Sequence, residues 1–251
     1  MLSDLLESEL FAFLLVLVRM IPVFLLMPIF SEKSIPRNVR ASFALALSIL
    51  MSQTAPGIPD MPAQPFMLAG LALREVLVGT LLALTMRMIM TATHLAGTVI
   101  AFQTGLAAAQ SFDPSQGGQS AILSTFMTVV TVTLFVVMDI HHLMLMAIGN
   151  SYTMFPVNEA IPIEDFSRVI IYYVSASFLI GIQMSAPFLV YGVVYNVGLG
   201  LIARLAPRIQ VFFVGMPLNI LLGFILFMIL FPSMMLLFID QYRDLLGRFL
   251  G

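Results

Sequence analysis

Apolar residues run almost without interruption through 10–30, 41–55, 66–90, 91–112, 121–148, 169–203 and 209–239. The hydrocarbon core of a bilayer takes about 20 such residues per helical crossing, so the pattern predicts roughly six to seven helical segments. These runs lack the short period-two alternation that marks a membrane β-barrel. The polar breaks between them have their own chemistry. Positions 31–40 hold Lys33, Pro36, Arg37 and Arg40, a short basic connection of the cytoplasmic kind. Pro56, Pro59, Pro62 and Pro65 recur at every third position, which favours an extended polyproline-type link. Positions 111–120 read Ser-Phe-Asp-Pro-Ser-Gln-Gly-Gly-Gln-Ser and are dense in turn formers. An acidic connection at 158–168 precedes the longest uncharged run, and Arg204, Pro207 and Arg208 mark a tight turn between the last two segments. The expected fold is an all-α integral membrane protein of long, Pro- and Gly-interrupted apolar helices arranged as hairpins, with no separate soluble domain.

Composition narrows the class further. Of 251 residues 60% are hydrophobic and 10% charged, where a soluble domain carries roughly 25% charged residues. A core holding 19 Met and 21 Phe is more than a soluble chain of this length buries. The net charge of -2 has no basic excess, which argues against nucleic acid as a partner. With no cysteine, disulfides, thiolate metal sites and cysteine nucleophiles are excluded. Asp4, Glu7 and Glu9 stand where a cleaved signal would carry Lys or Arg, so the first run reads as retained.

Simple membrane rules then fail. Alternating sides from an outside N-terminus puts Lys33, Arg37 and Arg40 inside but Arg204 and Arg208 outside. As a helix, 169–203 would be roughly 50 Å long against a hydrocarbon core of about 30 Å. Trp is absent, leaving six Tyr to supply an interfacial belt. An ordinary lipid-facing bundle is disfavoured on all three counts.

Gly97, Ala101, Gly105 and Ala109 fall four apart and predict a small-residue ridge on one helix, for packing within the chain or against another subunit or a conduit. Arg19, Arg74 and Glu75 lie inside apolar runs, where an unpaired charge costs about 2.5–3.5 kcal/mol at the centre. Adjacent residues do not face each other on a helix, so Glu75 is expected to reach another segment, Arg19 first, rather than Arg74. Snorkelling at an interface and a structural ion pair are both open, with a proton or substrate relay as the minor reading. Asp139, His141 and His142 end an apolar stretch. Neighbouring helix positions diverge by about 100°, so only Asp139 and His142 share a face, His94 would have to add a third ligand, and no metal is expected. Phosphate-binding, dinucleotide and nucleophile-elbow motifs are missing, so neither an enzyme nor a cofactor is expected.

The order of several features resembles the FliR family of flagellar export-gate subunits, named SctT in virulence systems. They are Arg19 followed by Pro22 and Pro28, the 36–40 link, and Arg-Glu-Val-Leu-Val-Gly with Glu75 and Gly79. His-Leu-Ala-Gly ending at Gly97, then Phe112, Asp113 and Pro114, Pro187, the run from Gly198 to Pro207, and Pro217 complete the likeness over nearly the whole chain. Arg208 departs from the family, which more often has Gln there. The resemblance implies a subunit of a flagellar type III export gate in the bacterial inner membrane, within the flagellar basal body. It implies assembly with several FliP-like and FliQ-like subunits, with FlhB and FlhA alongside, around a path for unfolded flagellar proteins. It further implies a FliP-like part at 1–168, a FliQ-like helical hairpin at 169–251, and a channel plug at 111–120 made of Phe112, Asp113, Pro114, Ser115, Gln116, Gly117 and Gly118. A multi-pass solute permease is the alternative, which should show internal symmetry and transport by the chain alone.

Overall fold

Proline, glycine and one aspartate set where the long apolar runs start and stop. In the computed structural model, which describes residues 2–31, 35–54, 56–107, 122–159, 163–206 and 210–249, these runs are helices and no strand occurs among the described residues. The helices are α1 (Leu2–Leu26), α2 (Arg37–Ser52), α3 (Pro65–Gln103), α4 (Ile122–Val137), α5 (Ile140–Met154), α6 (Ile163–Leu205) and α7 (Val211–Gly247). Pro36, at φ -59° and ψ 145°, immediately precedes α2. Pro65 opens α3, a position where the missing N–H costs nothing. Gly105, at φ 73°, follows the end of α3 in the left-handed region that glycine enters freely.

Two segment boundaries differ from the sequence expectation. The runs at 66–90 and 91–112 form one helix through residue 103. Thr93 and Thr98 do not break it because their hydroxyls donate back to the carbonyls of Met90 and His94, each at 2.9 Å. The single run at 121–148 instead divides between α4 and α5, which meet at 75°. Asp139 makes that corner in the left-handed conformation, φ 57°. Pro22, Pro187, Pro217 and Pro232 all lie inside helices.

Among the described residues four helices are long and apolar enough to cross a membrane, within α1, α3, α6 and α7, and the bent α4–α5 pair makes a fifth candidate. At 1.5 Å per residue α6 is about 65 Å long, twice the hydrocarbon core. Only 11% of its most apolar window is buried, and 22% for α7, against 44% for α1.

The chain folds as two compact units, neither continuous in sequence. The first comprises Met1–Ile89, Phe135–Ser175 and Arg243–Gly251. Its core joins Met20, Val23 and Phe24 of α1, Leu82 and Met86 of α3, and Met144 and Ile148 of α5, all essentially without exposure. Phe24, Phe30 and Phe43 make edge contacts that hold α2. Tyr173 stacks on Phe249 and donates to the Leu245 carbonyl at 2.9 Å.

The second unit comprises Met90–Leu134 and Ala176–Tyr242. Its helices meet through small residues: a Cβ at Gly97 would lie 2.8 Å from the Ser124 amide nitrogen, and one at Gly181 would lie 2.8 Å from Leu95. Within this unit α6 and α7 run antiparallel, because Tyr191 bonds Asn219 while Tyr195, one turn on, bonds Gly215, one turn back. Phe126, Phe227 and Phe231 fill the space between α4 and α7.

Replacing Gly97 with Val should separate α3 from α4 and cost about 1–3 kcal/mol through overpacking. Thermal unfolding of the detergent-solubilised chain reads this, and an unchanged Tm would show that the contact carries no stability.

Candidate functional site

The charges inside the apolar runs gather in the first unit. Arg19 and Glu75 have no exposed surface, and Arg74 is 9% exposed. Arg19 grips Glu75 with two parallel bonds, Nε to Oε2 at 2.5 Å and Nη2 to Oε1 at 3.0 Å. The two-pronged guanidinium matches a carboxylate in a way an ammonium does not. Arg19 Nη1 also donates to Ser151 Oγ at 3.1 Å, Nη2 to the Phe155 carbonyl at 3.1 Å, and its face covers the Tyr152 ring at 3.8 Å.

Arg74 donates to the same Glu75 Oε1 at 3.1 Å and to the Pro156 carbonyl. This corrects the expectation that neighbours on α3 cannot meet. Their backbone directions diverge, but the long Arg74 side chain curls round to a carboxylate already fixed by Arg19. Two cations and one anion leave an excess positive charge. The carbonyls at the C-terminal end of α5, where the helix dipole is negative, face it.

Gly79 makes this geometry possible. It lies one turn beyond Glu75 on the same face of α3, and a Cβ there would strike the Arg19 carbonyl and come within 2.9 Å of the Pro22 ring. Its hydrogen lets α3 touch the backbone of α1. Ser151, Tyr152 and the two α5-terminal carbonyls were missed in the sequence reading, although Asn-Ser-Tyr at 150–152 is a polar interruption in an otherwise apolar segment and signals a partner there. Glu75 has both oxygens engaged and no open edge, an arrangement suited to a fixed clamp on α1, α3 and α5.

In the second unit the expected four-residue ridge is shorter than predicted. Gly97 and Ala101 do share a face of α3, but the helix ends at Gln103 and Gly105 stands beyond it in a left-handed turn. Asn219 donates to the Gln103 carbonyl at 3.2 Å, and Tyr191 donates to Asn219 Oδ1 at 2.7 Å. A Cβ on Gly105 would sit 3.1 Å from Asn219 Nδ2. The ridge therefore gives way to a capped helix end. Ala109 and the plug residues Phe112, Asp113, Pro114, Ser115, Gln116, Gly117 and Gly118 lie outside the described residues. So do Pro207 and Arg208, while Arg204 is exposed in the last turn of α6.

Asp139, His141 and His142 come together at the α4–α5 corner, their ligand atoms within 4.8 Å of one another. The expectation that the two imidazoles diverge is corrected: their ring centres are 4.1 Å apart. Asp139 precedes α5 rather than lying on a continuous helix, and the side chains of the first turn fold together over it. His94 is exposed on α3 and is not part of this group.

A helical chain with several apolar spans, a buried ion cluster and helix ends capped by side chains is an integral membrane protein with no catalytic constellation among its described residues. The model of bacterial export proteins, family 1, matches residues 10–245. The chain is 35% identical over 236 residues to the flagellar biosynthetic protein FliR of Caulobacter vibrioides, covering 94% of each. It is 34% identical over 222 residues to that of Bacillus subtilis, covering 87% of this chain and 85% of the relative. With the Escherichia coli protein it shares 27% over 218 residues, 86% of this chain and 82% of the relative. The chain thus belongs to the bacterial export proteins of family 1, the FliR family, and is a membrane-embedded export component of the flagellar apparatus rather than an enzyme.

Removing one partner from the ion cluster should leave an uncompensated buried charge and cost about 3–5 kcal/mol. Glu75→Gln is expected to lower Tm and cellular accumulation steeply, with Arg19→Lys falling between it and the unaltered chain. Equal stability of all three would show that the cluster clamps nothing.

Proposed function

We propose that this chain is a subunit of the export gate of the flagellar type III apparatus, contributing wall and plug to the channel through which unfolded flagellar proteins leave the cell. Export and flagellar assembly follow from the family, and the gate role rests above all on α6 and α7. These helices exceed the bilayer thickness, yet their apolar windows are 11% and 22% buried. Apolar surface that outruns the lipid needs protein to cover it.

FliP-like and FliQ-like subunits, with FlhB and FlhA nearby, are the partners of this reading, and the bacterial inner membrane is its location. Residues 1–168 act as a FliP-like unit and 169–251 as a FliQ-like hairpin. The antiparallel run of α6 and α7 supports the second part. Positions 111–120 serve as the plug: a glycine-rich loop with few side-chain anchors rearranges at low cost, so it blocks ions at rest and yields to an entering substrate. Phe112 supplies bulk. A solute permease would work alone, whereas a gate subunit needs its partners, and the family favours the gate.

Deleting residues 115–119 in the intact apparatus should raise ion leakage across the cell membrane while the protein still assembles with FliP-like and FliQ-like subunits. Unchanged conductance would remove the plug assignment. Solute uptake by the purified chain alone would replace the gate reading with the permease.

A further inference from the structure

The α4–α5 corner carries a grouping of side chains separate from the buried ion cluster. We propose that Asp139, His141 and His142 form a binding site for a divalent transition-metal ion, Zn2+ by the donor set. The reading stands on the geometry of this chain and is independent of the gate assignment.

Two imidazoles and one carboxylate are the ligand chemistry of Zn2+, which binds nitrogen at about 2.0–2.1 Å and carboxylate oxygen at about 2.0–2.2 Å. Two ligands at those lengths and a tetrahedral angle lie about 3.3–3.5 Å apart. His142 Nδ1 and Asp139 Oδ1 are separated by 3.3 Å. An ion can therefore sit between the two atoms without moving the backbone, the imidazole binding it in its neutral form. The third ligand atom, from His141, lies within 4.8 Å of both.

A second observation, apart from the cluster itself, points the same way. His141 Nδ1 faces the Phe135 carbonyl oxygen at 3.4 Å. A metal-binding imidazole almost always gives its other N–H to a carbonyl or carboxylate, which fixes the ring and reserves the opposite nitrogen for the ion. Here the carbonyl of α4 would reserve Nε2 of His141. The corner is also held from outside the group, where Arg243 donates to the Met138 carbonyl at 3.2 Å. The side chains of Asp139 and His142 are 73% and 59% exposed on the chain, which leaves space for an ion and for a further ligand in the remaining position. Bound there, it would tie Asp139, which sets the bend, to the first turn of α5.

The test uses the full chain without an affinity tag, in detergent, titrated with Zn2+ by calorimetry and with Co2+ by visible absorption. One Zn2+ per chain is expected, with Co2+ bands that Zn2+ removes. His141→Ala, His142→Ala and Asp139→Asn should each weaken binding by about tenfold or more, while His94→Ala leaves it unchanged. On the unaltered chain, Zn2+ should protect His141 and His142, and not His94, from diethyl pyrocarbonate, as read by mass spectrometry. Absence of binding by the unaltered chain, undiminished affinity in His141→Ala, or equal modification of all three histidines with and without Zn2+ would overturn the site.

Discussion

Glu75 is the anion on which the first unit depends. Its carboxylate sits in apolar surroundings where water cannot pay for its charge, and it is satisfied by three N–H groups from Arg19 and Arg74. Those cations in turn exceed the one carboxylate, so they need the α5-terminal carbonyls and Ser151. The groups come from α1, α3 and the end of α5, so these three helices are fixed together by one set of charge-assisted bonds. The cost of failing to assemble this set is larger than the gain from assembling it, which makes it a determinant of one arrangement more than a source of stability.

The second unit meets the same requirement for definite packing without buried charge among its described residues. Inside a membrane, or against another apolar protein surface, hydrophobic burial does not distinguish one helix pairing from another, and close backbone approach becomes the selective force. Gly97, Gly181 and Gly223 each place α3, α4, α6 or α7 against a neighbour where no Cβ would fit. The Phe126, Phe227 and Phe231 rings fill what these approaches leave open. Helices packed this way can be rigid while keeping long apolar faces exposed, as Val193, Val194, Val197 and Leu201 of α6 do.

Much of this was legible in the residues. Seven apolar runs foretold a helical membrane protein, and Arg19 was correctly paired with Glu75 because a lone charge in such a run demands a partner from elsewhere. The divisions were less readable. Thr93 and Thr98 look like interruptions but return their hydroxyls to the helix, so α3 continues. Asp139 looks like a helix residue but turns the chain, because nothing in hydropathy encodes φ. The spacing of Gly97, Ala101 and Gly105 fits one helical face, yet glycine at the last position served to end the helix instead of extending the ridge. Spacing alone cannot separate a packing glycine from a terminating one, since both exploit the missing Cβ.

Several polar side chains within the apolar runs share one task. Every helix that stops away from water leaves carbonyl oxygens without donors, each a heavy cost in a medium that offers none. At four helix ends of this chain a side chain from another helix supplies the donor. Asn219 reaches Gln103 at the end of α3, Arg243 reaches Met138 at the end of α4, and Arg19 and Arg74 reach Phe155 and Pro156 past α5. At the end of α7, Tyr173 reaches Leu245 and Asn150 reaches Phe249. These donors are also interhelical bonds, so the residues that close the helix ends hold neighbouring helices together within each unit.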